Sequence, residues 1–224
     1  MKILIKIFTF ITFVSFNTSA AENTIFGSPS YWDNLKQVQK DFYMKGALDA
    51  WGYYIWNNAS DSQRDLLISQ QRFCIKRESK NFQNYMFMLG WSEGDSAASE
   101  IYRWSSASCR NLSKTEDYKN TKVEKNKPLE NVTKKMWLSM SSIDKSSYVS
   151  GYIDGSLDTT RSIIKNPDAP KDAIDYYSDL LSQVNECFNK KGLDNLIPFI
   201  IKREINDSYP IAWNISFSFG AFCR

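Results

Sequence analysis

The sequence predicts an all-α protein made of two tandem homologous units of about four helices, each closed by one disulfide. Three observations predict it. Trp32, Lys40, Tyr43, Gly46 and Asp49 recur in the same order as Trp137, Lys145, Tyr148, Gly151 and Asp154, at a constant offset of 105 residues. Apolar pairs fall between them at the same offset: Leu35 with Met140, Val38 with Ile143, Met44 with Val149 and Leu48 with Ile153. Each copy then runs to two cysteines, Cys74 and Cys109 or Cys187 and Cys223, separated by 35 and 36 residues, with Arg after each closing cysteine. A chain that repeats itself is read from its unit.

Residues 1–20 read as a secretory signal peptide. Lys2 and Lys6 make a basic start, Ile7 to Phe16 is an apolar run, and Thr18-Ser19-Ala20-Ala21 supplies small residues for cleavage near Ala20 or Ala21. The run is shorter than the roughly 20 residues a membrane span needs. The expected location is periplasmic or secreted. Cleavage leaves 26 basic and 25 acidic residues, a net charge of +1. That balance does not suggest nucleic acid, whose binders carry a clustered basic excess.

The first unit spans residues 30–110. Trp32, Leu35, Val38, Phe42 and Gly46 recur at spacings of three and four, which predicts one opening helix with these residues on a single face. Trp137, Met140, Ile143 and Tyr148 open the second unit, residues 132–224, in the same way. Small residues follow four apart, Gly46 with Ala50 and Gly151 with Gly155. Gly within a helix costs about 0.5–1 kcal/mol relative to Ala, so its recurrence points to a close helix crossing.

Ser60 and Gln63 form a capping box ahead of a second helix. Its counterpart starts at Pro170, placed for a first helical turn, and carries Ile174, Tyr177, Leu180, Leu181 and Val184. Beyond the first cysteine of each unit a third apolar helix is expected: Phe82, Tyr85, Met86 and Leu89, or Leu193 to Ile201 with Pro198 imposing a kink or a late start. A last helix reaches the closing cysteine. Its second copy, Trp213 to Phe222, alternates enough to allow a strand, but the first copy favours helix. Residues 111–131 are polar, contain Pro128, and read as a linker.

Four cysteines in an exported chain form an even set that persists as disulfides. The repeat selects Cys74–Cys109 and Cys187–Cys223, because each unit must close itself alike. With no CxxC pair and no His in the chain, no metal site and no cofactor is expected. The lack of His excludes Ser-His-Asp and Cys-His nucleophilic arrangements, and no phosphate-cradling Gly-rich loop is present. The sharpest catalytic candidate is the carboxylate pair Asp49 and Asp154, which would face each other across a pseudo-twofold axis and support acid/base hydrolysis. A structural role beside the small-residue crossing is the stronger reading of the pair. The run Trp51, Tyr53, Tyr54 and Trp56 has no aromatic counterpart in the second unit. It is a candidate partner-binding surface, with packing in the core or between the units the stronger reading.

The stretches Tyr43-x-x-Gly46-x-x-Asp49 and Tyr148-Val149-Ser150-Gly151-Tyr152-Ile153-Asp154-Gly155, followed by the two cysteines of each unit, carry a resemblance. The chain resembles the small helical periplasmic immunity proteins of type VI secretion systems, the Rap/Tai group. Members usually have one unit, whereas this chain has two. The resemblance implies a non-catalytic protein that occupies the active site of a peptidoglycan-cleaving amidase. In this reading Trp32, Tyr43, Gly46, Asp49, Trp137, Tyr148, Gly151, Asp154 and Gly155 are scaffold residues.

Overall fold

The computed structural model describes residues 28–89, 96–112, 114–120 and 125–224; of residues 29–30, 78–89, 110 and 193 it describes the backbone alone. The expected signal peptide lies outside the described residues. The described chain is all α-helical and contains no strand: α1 (Pro29–Asn34), α2 (Gln37–Asn58), α3 (Asp61–Leu89), α4 (Ala97–Leu112), α5 (Glu116–Lys119), α6 (Lys134–Ser139), α7 (Ser142–Ile164), α8 (Lys171–Lys191), α9 (Leu196–Lys202) and α10 (Ile211–Cys223).

Each expected opening helix is two helices. Leu35 and Lys36 are extended between α1 and α2, as Met140 and Ser141 are between α6 and α7. The break is capped rather than strained. The Lys36 backbone N–H donates to the Gln39 side chain at 2.7 Å, and the Ser141 hydroxyl accepts from the Asp144 N–H at 3.2 Å. Periodicity cannot see such a break, since an extended pair preserves a spacing of three. The break also turns Val38 and Ile143 outward, leaving them 49 % and 63 % exposed, contrary to the single buried face expected.

The described α3 runs through Cys74 without interruption, so the expected second and third helices of the first half are one. The side chains of Phe82, Tyr85, Met86 and Leu89 lie outside the described residues. In the second half Gly192, with φ of +77°, ends α8 in the left-handed region that favours glycine. After a short 3-10 turn α9 starts at Leu196, so Pro198 falls in its first turn, a late start. Pro170 is the N-cap of α8 rather than its first helical residue, and its carbonyl accepts from the Ile174 N–H at 3.0 Å. Trp213 to Phe222 is helical, within α10.

The disulfides are Cys74–Cys109, joining α3 to α4, and Cys187–Cys223, joining α8 to α10, with Cα separations of 5.2 and 5.3 Å. Two apolar cores form. One gathers Trp32, Tyr43, Leu48, Ile55, Ile68 and Ile101; the other gathers Val132, Trp137, Tyr148, Leu196, Ile211 and Ile215, and also takes in Ala50 from the first half. The end of the polar connector is docked. Leu129 is 3 % exposed and lies over Gly52, where an added Cβ would meet its Cβ at 2.7 Å. Arg72 on α3 donates to the carbonyls of Lys127 and Pro128 at 3.0 and 3.1 Å.

Candidate functional site: the reciprocal tyrosine–aspartate clamps and the cleft beside them

The middle of the molecule is the contact between α2 and α7. A Cβ on Gly46 would lie 2.1 Å from the Tyr148 carbonyl oxygen, and one on Gly151 would lie 2.0 Å from that of Tyr43. The glycines are there because the two backbones touch. A Cβ on Gly155 would press on Ala47 and Ala50. Contacts advance together along both helices, Tyr43 with Gly151 and then Ala50 with Gly155, so α2 and α7 run in the same sense.

That approach brings the tyrosine of each half to the aspartate of the other. The Tyr43 hydroxyl donates to Asp154 Oδ2 at 2.6 Å, and the Tyr148 hydroxyl donates to Asp49 Oδ2 at 2.6 Å. Asp49 and Asp154 are 1 % and 4 % exposed, and both tyrosines are fully buried. The surroundings repeat as well. Trp32 meets Tyr43 edge-on at 5.7 Å between ring centroids, and Trp137 meets Tyr148 at 6.0 Å. Lys40 lies 5.5 Å from the Trp32 ring and Lys145 lies 5.4 Å from that of Trp137. The Tyr, Gly and Asp of the recurring signature meet across the halves. Within each half its Trp packs against the tyrosine of the clamp, with the Lys over the Trp ring.

Asp49 has a further partner. Asn131, from the end of the connector, donates to Asp49 through its backbone N–H at 3.0 and 3.2 Å and through its side-chain amide at 2.7 Å. Burial pushes the Asp49 carboxyl up to about 7, against the lowering effect of the Tyr148 and Asn131 hydrogen bonds. Burial first, and then the neighbouring carboxylate, hold the Tyr43 and Tyr148 phenols well above their ordinary value. Both carboxyls are buried and each is engaged by the phenol of the other half, so neither faces solvent. The geometry makes these groups a lock between halves. Asn131 was not legible as part of it, because it stands in a stretch whose composition reads as linker.

The four rings Trp51, Tyr53, Tyr54 and Trp56 do not form one exposed surface. Trp51 is buried and its indole N–H donates to the Tyr102 hydroxyl on α4. Tyr53 and Trp56 pack against Trp213 of α10, with centroids 5.8 and 6.2 Å apart. Tyr54 packs against Tyr177 of α8 at 6.2 Å. Three of the four therefore join the first half to the second, and Trp51 is withdrawn from any partner.

Beside this packing, α2, α7, α8 and α10 enclose an open cleft of about 1000 Å³. Tyr53 and Tyr54 line one wall, Tyr152 and Leu157 another, and Tyr177 and Leu181 a third. The α8 side was not read as a site, since its apolar residues fit an ordinary core-facing stripe. Among the described residues no cluster of His, Cys, Asp and Glu suits a metal ion, and no cysteine is free. No described helix is long and apolar enough to cross a membrane.

No family model, no curated protein and no solved structure matches this chain.

Proposed function

We propose that the chain is an exported, non-catalytic binding protein: an immunity-type inhibitor of a peptidoglycan-cleaving amidase, built by duplication of one helical unit. The observation that carries the choice of binder over hydrolase is the state of Asp49 and Asp154, each buried and each held by the tyrosine of the other half. The reciprocity of the clamps and glycine contacts supports the duplication. Two disulfides suit an oxidising compartment. A cross-linked, pre-organised scaffold loses little freedom on docking. Val38 and Ile143, exposed at the starts of two helices that run in the same sense, together with exposed Leu138, supply apolar area for a partner at one end of the molecule.

The test mixes the mature chain with purified envelope amidases and follows peptidoglycan cleavage. A stoichiometric complex with loss of amidase activity is expected, relieved by the double substitution Val38→Asp with Ile143→Asp. Cleavage of peptidoglycan by the chain alone, abolished in Asp154→Asn, would overturn the reading in favour of the hydrolase. Failure to inhibit any amidase would remove the immunity role.

A further inference from the structure

The cleft has a chemical character that its residue names conceal. Several of its lining residues carry hydroxyl or amide groups, which suggests a polar ligand such as a sugar. Yet six of them are already engaged within the protein. On α7, the Ser156, Thr159 and Thr160 hydroxyls donate to the carbonyls of Tyr152, Gly155 and Ser156 at 2.8, 2.8 and 2.9 Å. On α2, the Asn57 and Asn58 amides donate to the carbonyls of Tyr53 and Tyr54, each at 2.8 Å. The Tyr177 hydroxyl donates to the Asn58 side-chain oxygen at 3.4 Å. With these donors turned inward, a sugar's hydroxyls would find few matching partners at these six residues, and desolvating them there is unfavourable.

Beside the tyrosines, most of the remaining lining of the cleft is hydrocarbon. Ile153 and Leu157 of α7, Leu180, Leu181 and Val184 of α8, and Phe219 of α10 line it. Among the described residues, the charged ones that line it are Asp172 and Arg224, both exposed. The cleft is also long. The lining residues of α8 extend from Asp172 to Val184, about 18 Å at the helical rise per residue. Its volume lies at the upper end of the roughly 300–1,000 Å³ typical of small-ligand sites.

We propose that this cleft binds one linear aliphatic chain, the acyl chain of a fatty acid or lipid, lengthwise along α8 with its polar head outside. The proposal is independent of the amidase reading, since it concerns another face and another ligand.

Titration calorimetry of the mature chain with saturated fatty acids from octanoate to myristate, each below its micellar concentration, tests it directly. Affinity should rise roughly fourfold per added methylene until the cleft is full, the increment expected for burying one CH₂. Lysophosphatidylcholines of the same chain lengths distinguish the source: the same slope means that the head lies outside, and binding of the free acids alone means that the site takes fatty acids. Ser156→Phe, which fills the cleft, and Leu180→Lys, which charges its wall, should each weaken laurate at least tenfold, with unfolding curves confirming that they fold. Affinity independent of chain length in the unaltered protein would overturn the proposal whatever the variants do. So would binding of chitobiose in the cleft without binding of any acyl chain.

Discussion

At the scale of single residues, the clamps and the glycines beneath them make separable claims. Tyr43→Phe or Tyr148→Phe removes one hydrogen bond to a buried carboxylate while keeping the ring and its tryptophan contact. Each should lower stability by about 1.5–3 kcal/mol, the range for hydrogen bonds to charged groups, measured by urea unfolding. Gly46→Ala and Gly151→Ala should be worse, by more than about 3 kcal/mol, because the added methyl meets backbone that cannot rotate away. Gly220→Ala on α10 meets nothing within 4 Å and should be neutral or stabilising by about 0.5–1 kcal/mol. Asp49 adds a pH signature. Its carboxyl titrates near 3.8 in the unfolded chain and near 7 in the folded one. The folded state therefore binds that proton more tightly, so its stabilising effect is complete below about pH 4 and is lost as pH rises toward 7. The unfolding midpoint should fall across that window, and more steeply in the unaltered protein than in Asp49→Asn. The identities of these residues were legible in the sequence because the repeat marked them. Their partners were not, since Tyr43 and Asp154 stand 111 residues apart and a repeat does not say whether its copies fold separately or on each other.

At the scale of elements, the cross-links and the cleft wall show where periodicity suffices and where it stops. The all-α class follows from spacings of three and four, which are local signals, whereas the helical character of α10 and both disulfide pairings are legible only by comparing the two copies. The breaks after α1 and α6 follow from neither, since an extended pair leaves those spacings intact. The union of the expected second and third helices in α3 does not either, because a cysteine carries no stop signal. The cleft was hidden for a different reason: an amphipathic stripe on α8 looks the same whether it covers a core or lines an opening. The disulfides carry a quantitative expectation. Closing a loop of this length restricts the unfolded chain by an amount worth about 4 kcal/mol in the chain-entropy model. Replacing Cys187 and Cys223 together by Ser should lower stability by about 2–5 kcal/mol, measured under non-reducing conditions against the unaltered chain. The first half, still bridged by Cys74–Cys109, should lose stability in the same transition, because α2 and α7 are packed as one layer.

At the scale of the molecule, that shared layer sets what can fold alone. α2 and α7 bury their small-residue faces and their tyrosines against each other, and Ala50 belongs to the core of the other half. A separated half would expose Gly151, Tyr148 and Asp154, or their first-half counterparts, to water. It would also leave a carboxylate without the phenol that holds it. Each half nevertheless carries both members of a clamp. Two copies of residues 132–224 can restore the arrangement if the Tyr148 of one copy donates to the Asp154 of the other, with Gly151 against the partner's Tyr148 backbone. The expected outcome is that this fragment, with its disulfide intact, unfolds with a concentration-dependent midpoint and sediments as a dimer. Tyr148→Phe within the fragment removes both clamps at once, so the dimer should weaken by about twice the single effect in the intact chain. Mixing the fragment with residues 22–131 should convert the homodimer into a heterodimer, since only that pairing supplies the Trp213 ring to Tyr53 and Trp56. A monomeric fragment with a sharp, concentration-independent transition would mean that each half is stable by itself, and that the clamps tune the contact between halves rather than create it.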